Sequence, residues 1–445
     1  MSLHYSADTA ARAGAPVRER KGLIRASWAL ADQCVVSGGN FLTIFIYARY
    51  LDITYFGVFM LAHTGLLLVT SMQNALIVQP HNVLAAGLAP AEYRRVTTGL
   101  AVLQVLFCVG LCLFLAVAGW GISVSGGPAA GSVVVALAVT AAPWMGQEFI
   151  RRVLYTRAET RSATINDAVT YGLQLTGATW LAVAWGIHVT PEAALYVLGG
   201  SSAVGVLVGT WQLRHHLHFG HGVSASYAHT WSEVWDFGKW LTAQNGTVWL
   251  GSHGHAWIVG ALLGAEQVGL YRAVTHLVNV MNPLRQAAYA YLPSRGSVAY
   301  QSDGAAGLER WVKKTWWMLL TALFPFCVVL IGFPMPVIEA AYGERYAIPM
   351  LAAILALATA GQCLTFLKFP YDIGLLALRA TKVIFQVHLI PVALLFTTGV
   401  AFIHYWGIVG VPLSALLINL SLLAATAVAY RRMLRRQLAR PADAT

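Results

Sequence analysis

The chain has 445 residues, of which 58% are hydrophobic and only 11% charged, and its mean hydropathy is +0.62. A soluble chain carries about 25% charged residues to cover its surface, so composition excludes a water-soluble globular protein and makes lipid the main solvent. The formal net charge of +11 does not point to nucleic acid, because the basic residues recur in every second loop instead of gathering into one patch.

A hydrocarbon core about 30 Å thick takes roughly 20 apolar residues per helical pass. Twelve such windows follow one another, over 26–48, 56–78, 97–119, 129–147, 168–189, 193–213, 240–263, 268–292, 315–338, 347–367, 383–404 and 406–429. The spacing predicts an all-α, polytopic membrane protein of about 12 transmembrane helices. All but three of the 29 Lys and Arg residues lie on the side of the even-numbered turns and the termini; the exceptions are Arg49, Arg272 and Arg345. The positive-inside rule then makes both termini cytoplasmic, which needs an even number of passes. The expected organisation is a cytoplasmic tail (1–25), an N-terminal six-helix bundle (26–213), a cytoplasmic linker with an interfacial helix (214–239), a C-terminal six-helix bundle (240–430) and a basic cytoplasmic tail (431–445). The first 25 residues are polar and basic ahead of the apolar segment, the wrong order for a cleavable signal peptide.

The linker carries Trp231, Trp235, Phe237 and Trp240, an aromatic set suited to headgroup depth. Cys34, Cys108, Cys112, Cys327 and Cys363 all fall inside hydrophobic windows, where thiols act as small apolar side chains, and no disulfide framework is implied.

An internal repeat organises the chain. Leu51–Phe59 reads LDITYFGVF and Leu263–Tyr271 reads LGAEQVGLY; both run Leu, four variable residues, then apolar, Gly, apolar, aromatic. Each joins an odd pass to the next even one, and the copies lie about half the chain apart. Repeats entering the membrane in the same orientation are related by an axis along its normal, and transporters built this way bind substrate between their halves.

The segment from Asp32 to Pro80, with DQCVVSGGNFLTIFIYARYLDITYFGVF and then QNALIVQP, resembles the first two helices of bacterial Wzx-like oligosaccharide flippases. WMGQEFIRRVLY from Trp144 resembles the end of their fourth helix. The resemblance implies the fold of the multidrug/oligosaccharidyl-lipid/polysaccharide exporter superfamily, two six-helix bundles around a central cavity. It also implies the substrate, an undecaprenyl-pyrophosphate-linked oligosaccharide moved across the bacterial inner membrane for exopolysaccharide, capsule or lipopolysaccharide assembly. A polysaccharide polymerase and glycosyltransferases of the same pathway are the implied partners, besides membrane lipids.

An ionisable side chain at mid-span costs about 2.5–3.5 kcal/mol on insertion scales, so each one is a functional candidate. Arg272 lies one turn inside the eighth window; flippases of the resembled superfamily often carry an arginine in that helix. A guanidinium there either grips a pyrophosphate bidentately or snorkels to the outer headgroups. Arg49, at the outer end of the first window, reads as an interfacial anchor or a second substrate contact. Asp32 either takes up a proton or sodium ion or pairs with an arginine of another helix. Glu148 precedes Arg151 and Arg152 by three and four residues, a spacing for pairing on one helix face; the alternative has one arginine meeting the substrate headgroup and Glu148 coupling to an ion. Asn74, Gln147, Asn279 and Asn282, with Asn40, Gln174 and His276, can hydrogen-bond sugar or a neighbouring helix. Pro143, Pro283, Pro325 and Pro391 interrupt passes. His215, His216, His218 and His221 cluster in a loop, but no Cys or carboxylate completes a ligand set, so neither metal nor cofactor is expected. The absence of GxxxxGK[ST], HExxH and a serine elbow argues against ATP use and hydrolytic catalysis within the chain. Two rivals remain: a membrane polysaccharide polymerase or ligase, whose large outer loop this chain lacks, and a drug or cation antiporter, for which intramembrane acids are few.

Overall fold

The computed structural model describes residues 5–84, 88–214 and 224–438; the histidine cluster at 215–221 and Arg440 lie outside the described residues. Among the described residues there is no strand. In chain order the helices are α1 (Tyr5–Tyr50), α2 (Ile53–Gln73), which continues through a π-helical turn at Asn74–Val78 into α3 (Gln79–Leu84), α4 (Pro90–Val124), α5 (Pro128–Thr156), α6 (Thr160–Trp185), α7 (Pro191–Leu213), α8 (Ser224–Leu263) and α9 (Ala265–Val278). A 3-10 turn at Asn279–Met281 leads to α10 (Asn282–Gly332), followed by α11 (Pro334–Tyr342), α12 (Pro349–Ala377), α13 (Thr381–His388) and α14 (Ile390–Leu394). A second π-helical turn at Leu395–Gly399 precedes α15 (Val400–Trp406) and α16 (Gly410–Leu438).

Among the described residues, eight segments are long and apolar enough to cross a membrane. Two of them, Ala265–Gly332 with 68 residues and Ile390–Leu438 with 49, are each long enough for two passes at roughly 20 residues per pass. α6 and α8 occupy the remaining windows and carry amides and ionisable groups within them, so each of the twelve predicted windows falls on helix. The chain marks its own boundaries: Pro128, Pro191, Pro334 and Pro349 open their helices, where a missing N–H costs nothing. Thr190 caps α7 by accepting the Ala193 amide at 3.3 Å. Gly264, at φ +90°, makes the one-residue turn between α8 and α9.

The expected interfacial helix of the linker is not a separate element: from Ser224 it is one continuous helix with the seventh pass. The connection over 293–314 is likewise helical, broken only at Gly304, whose φ of 63° lies outside helical space. Pro283 and Pro391 stand at the first turns of α10 and α14, so the eighth and eleventh passes are interrupted where those prolines sit, while Pro143 and Pro325 lie inside α5 and α10.

Two compact units divide the chain. One comprises residues up to Leu51 together with Ala62–Gly246; the other comprises Asp52–Leu61 with Thr247 onward. In the first, polarity is turned inward. Leu106, Leu113, Phe114, Val117 and Trp120 of α4 are each more than 60% exposed, a face that only lipid accommodates. The contacts between α1 and α6 are hydrogen-bonded: Gln174 Nε2 donates to Thr43 Oγ1 at 3.0 Å, Asn40 Nδ2 to the Tyr171 hydroxyl at 3.4 Å, and the Thr164 hydroxyl to the Trp28 carbonyl at 3.0 Å. With no hydrophobic drive between helices in lipid, such bonds and close packing hold the bundle. In the second unit Tyr342 Oη donates to the Ala273 carbonyl at 3.0 Å and Asn419 Nδ2 to the Gly361 carbonyl at 3.1 Å. Its cores gather Leu308, Val312, Leu375, Tyr430 and Leu434 near one end.

Candidate functional site

The first unit buries a charge cluster built from α1, α5 and α6. Asp32 and Asp167 are both 0% exposed, and Arg151 of α5 lies between them. Arg151 Nη2 is 3.2 Å from Asp32 Oδ2, its Nε is 2.7 Å from Asp167 Oδ2, and its Nη1 is 3.3 Å from Glu148 Oε2. About two turns of α5 supply the rest. Glu148 Oε1 accepts Arg152 Nε at 2.6 Å, Gln147 Nε2 donates to Asp167 Oδ1 at 2.6 Å, and the Tyr155 hydroxyl donates to Asp32 Oδ2 at 2.5 Å. Residues 147, 148, 151, 152 and 155 share a face because helical neighbours recur at three and four. Asn166 accepts from Gln147 at 3.3 Å and donates to the Gly205 carbonyl at 2.7 Å, which ties α7 to the cluster.

Charge does not balance here. Three carboxylates face two guanidiniums, and Arg152 is 42% exposed, so its charge is partly screened. Within the buried set, Asp32 and Asp167 share the single charge of Arg151. A buried carboxylate without its full complement costs several kcal/mol, and the ordinary remedies are a proton or a bound cation. Both oxygens of Asp167 face a donor or a cation; on Asp32 only Oδ2 does, and Oδ1 is buried without a hydrogen-bond partner among the described residues. No group of three or more His, Cys, Asp or Glu side chains among the described residues is arranged to hold a metal ion.

The second unit presents the opposite case. Arg272, about two turns into α9, places Nη2 3.4 Å from His253 Nδ1 of α8, while its Nε is buried with no hydrogen-bond partner among the described residues. No carboxylate lies within ion-pair distance of it among the described residues. His253 in turn stacks at a tilt on Trp249, ring centres 5.8 Å apart. A membrane-depth guanidinium without a counter-anion is suited to an anionic group brought by a ligand.

The remaining candidates are scattered. Arg49 is exposed in the last turn of α1, and Asn74 is half-buried where the π-helical turn begins. Asn279 is exposed in the 3-10 turn with its amide 3.3 Å from His276 Nδ1, and Asn282 is half-buried at the start of α10. Gln147, Glu148, Arg151, Arg152 and Asp32 converge. Arg151 is engaged by three carboxylates, which leaves Arg152 as the arginine facing outward. Sequence reasoning missed Asp167, one position before the fifth window. The signal was present: Asp167, Thr170, Tyr171 and Gln174 form a polar stripe at helical spacing along α6.

A family model described as "Polysaccharide biosynthesis protein" matches residues 25–289, more than half of the chain. Among solved structures the chain is similar to an inward-facing multidrug resistance MATE family transporter of the MOP superfamily, with 14% identity, 94% of this chain and 98% of that one covered, and a TM-score of 0.63. It is similar to the lipid II flippase MurJ in an inward closed conformation, at 12% identity, 94% and 91% coverage and a TM-score of 0.63. A MATE transporter from Vibrio cholerae matches at 14% identity, 93% and 98% coverage and a TM-score of 0.57. At these identities the likeness establishes the fold. No curated protein matches the sequence.

Proposed function

The chain belongs to the polysaccharide biosynthesis protein family, and from that premise we propose that it is a flippase carrying an undecaprenyl-pyrophosphate-linked oligosaccharide across the bacterial inner membrane. The product serves exopolysaccharide, capsule or lipopolysaccharide assembly, alongside the glycosyltransferases that build the repeat unit and the polymerase that joins it. Both termini are cytoplasmic in this reading. The two six-helix halves, 26–213 and 240–430, exchange inward-open and outward-open arrangements, and no covalent bond is made or broken.

The observation that carries the reading is Arg272, a guanidinium inside a membrane pass with no carboxylate beside it among the described residues. The pyrophosphate supplies the missing anion, gripped by a planar fork that suits phosphate oxygens. A shared fold with a lipid II flippase supports a lipid-linked cargo. An antiporter for cationic drugs would be poorly served by an unpaired cation at that depth. The polymerase alternative lacks a large outer loop to hold its chemistry.

Resetting is assigned to the buried cluster of the first unit. A proton taken up between the Asp32 and Asp167 carboxylates removes the uncompensated charge that these two groups place on the single Arg151 guanidinium. Proton release restores the Asp32–Arg151 pair at 3.2 Å. The test is glycan export by Arg272 variants present at wild-type levels. Loss of a charge-assisted hydrogen bond, about 1.5–3 kcal/mol, corresponds to about a 10- to 150-fold fall in export for Arg272→Ala, with partial activity for Arg272→Lys. Normal export by Arg272→Ala would overturn the assignment.

A further inference from the structure

A cavity of ≈ 240 Å³ lies in the second unit between α10, α12 and α16, lined by Glu309, Lys313, Trp316, Trp317, Tyr371, Tyr430 and Arg431 among others. It belongs to neither charge site described above. At about 30 Å³ per water-sized group it holds roughly eight such groups, enough for a phosphate and a few carbons and too little for an oligosaccharide.

Its chemistry is specific. Lys313 and Arg431 bring two cations to the rim, and Glu309 answers only the first, its Oε1 lying 2.7 Å from Lys313 Nζ. Arg431 has no carboxylate partner among the described residues. The inner wall is Tyr430, 2% exposed, whose hydroxyl is buried without a hydrogen-bond partner. Tyr371 stacks beside it, ring centres 5.7 Å apart. A buried hydroxyl left unpaired is costly, and a ligand oxygen at the wall relieves it.

The outer side of the cavity continues along lipid-facing apolar surface. Trp317, Phe324, Val328 and Ile331 share one face of α10 and are 64%, 67%, 42% and 39% exposed. A molecule with an anionic head and an apolar tail therefore meets both requirements at once. Basic pockets between membrane helices bind anionic headgroups in this way.

We propose that this cavity is a binding site for the phosphate of an anionic phospholipid, of the phosphatidylglycerol class, with an acyl chain along the Trp317–Ile331 face of α10. Arg431 and Lys313 hold the phosphate oxygens, and the Tyr430 hydroxyl donates to the same headgroup. The Lys313–Glu309 pair orients the lysine. The site is independent of the flippase reading and requires only that this end of the unit sits at a lipid headgroup layer.

The test is native mass spectrometry of the full chain in detergent, titrated separately with phosphatidylglycerol, phosphatidylethanolamine and glycerol 3-phosphate. The expected result is retention of phosphatidylglycerol in preference to both others. Each phosphate-contacting cation is worth on the order of fivefold in affinity, so K313Q/R431Q is expected to lose retention about 25-fold, while Arg214→Gln, a cation elsewhere, leaves it unchanged. Tyr430→Phe, which removes only the hydroxyl, is expected to weaken retention severalfold with the thermal transition kept. The proposal is overturned if K313Q/R431Q retains phosphatidylglycerol as the wild type does, if phosphatidylethanolamine is held equally well, or if glycerol 3-phosphate binds as tightly as the lipid.

Discussion

Gly57 and Gly269 each leave their side-chain space to a backbone carbonyl of the other's helix. A Cβ on Gly57 would stand 1.8 Å from the Ala265 carbonyl oxygen, and one on Gly269 would stand 2.1 Å from the Ile53 carbonyl oxygen. These four positions are equivalent in the two copies of the sequence repeat: Ile53 matches Ala265, and Gly57 matches Gly269. The contact is thus reciprocal, as a local two-fold relation between the starts of α2 and α9 demands, and the crossing is close enough for backbone to meet backbone. Overpacking a tight contact costs about 1–3 kcal/mol or more. Gly57→Ala and Gly269→Ala are each expected to lower the thermal transition in detergent, and the double variant is expected to lower it by less than the two shifts together, because the first substitution already separates the helices. Unchanged transitions would mean the helices do not cross here.

Arg151 anchors three carboxylates, so its removal leaves buried charge without a partner, a loss of about 3–5 kcal/mol. Arg151→Gln is expected to yield little folded protein by size-exclusion chromatography. Adding Asp32→Asn, which removes one of the orphaned charges, is expected to recover part of it. An Arg151→Gln variant that folds as well as the wild type would contradict the arrangement.

Asp32→Asn alone has a different signature. The amide resembles the protonated carboxyl in shape and charge, so the helices are expected to stay packed, while transport in proteoliposomes loses its dependence on an imposed pH gradient. Retained dependence would move the proton to another group.

Much of this architecture was legible in the residues themselves. Lipid imposes a length on each pass, and prolines and short polar turns mark the ends, so the windows fell on helices. The Leu-x4-apolar-Gly repeat was visible as a pattern, but not that its two glycines meet, because a contact between distant helices leaves no trace in either one. The same limit applied at the charge cluster. Glu148 and its arginines are legible as an i, i+3/i+4 set on one helix, and Asp32 as an acid inside a pass. Asp167 was hidden because a hydropathy window ends where polarity begins, and its partner lies on another helix.

Cys327 of α10 and Cys363 of α12 place their sulfurs 3.3 Å apart. A mild thiol oxidant is expected to join them within one chain, with loss of both thiol labels by mass spectrometry, while Cys327→Ser leaves Cys363 open to alkylation. Continued labelling of both thiols after oxidation would contradict the pairing of these two helices.

The most direct test of the transport account is the sidedness of lipid-linked sugars in cells depleted of the protein. The expected result is complete repeat units accumulating on undecaprenyl pyrophosphate in the cytoplasmic leaflet, shielded from reagents added outside. Accumulation in the outer leaflet, where a polymerase or ligase would draw on it, would contradict the account.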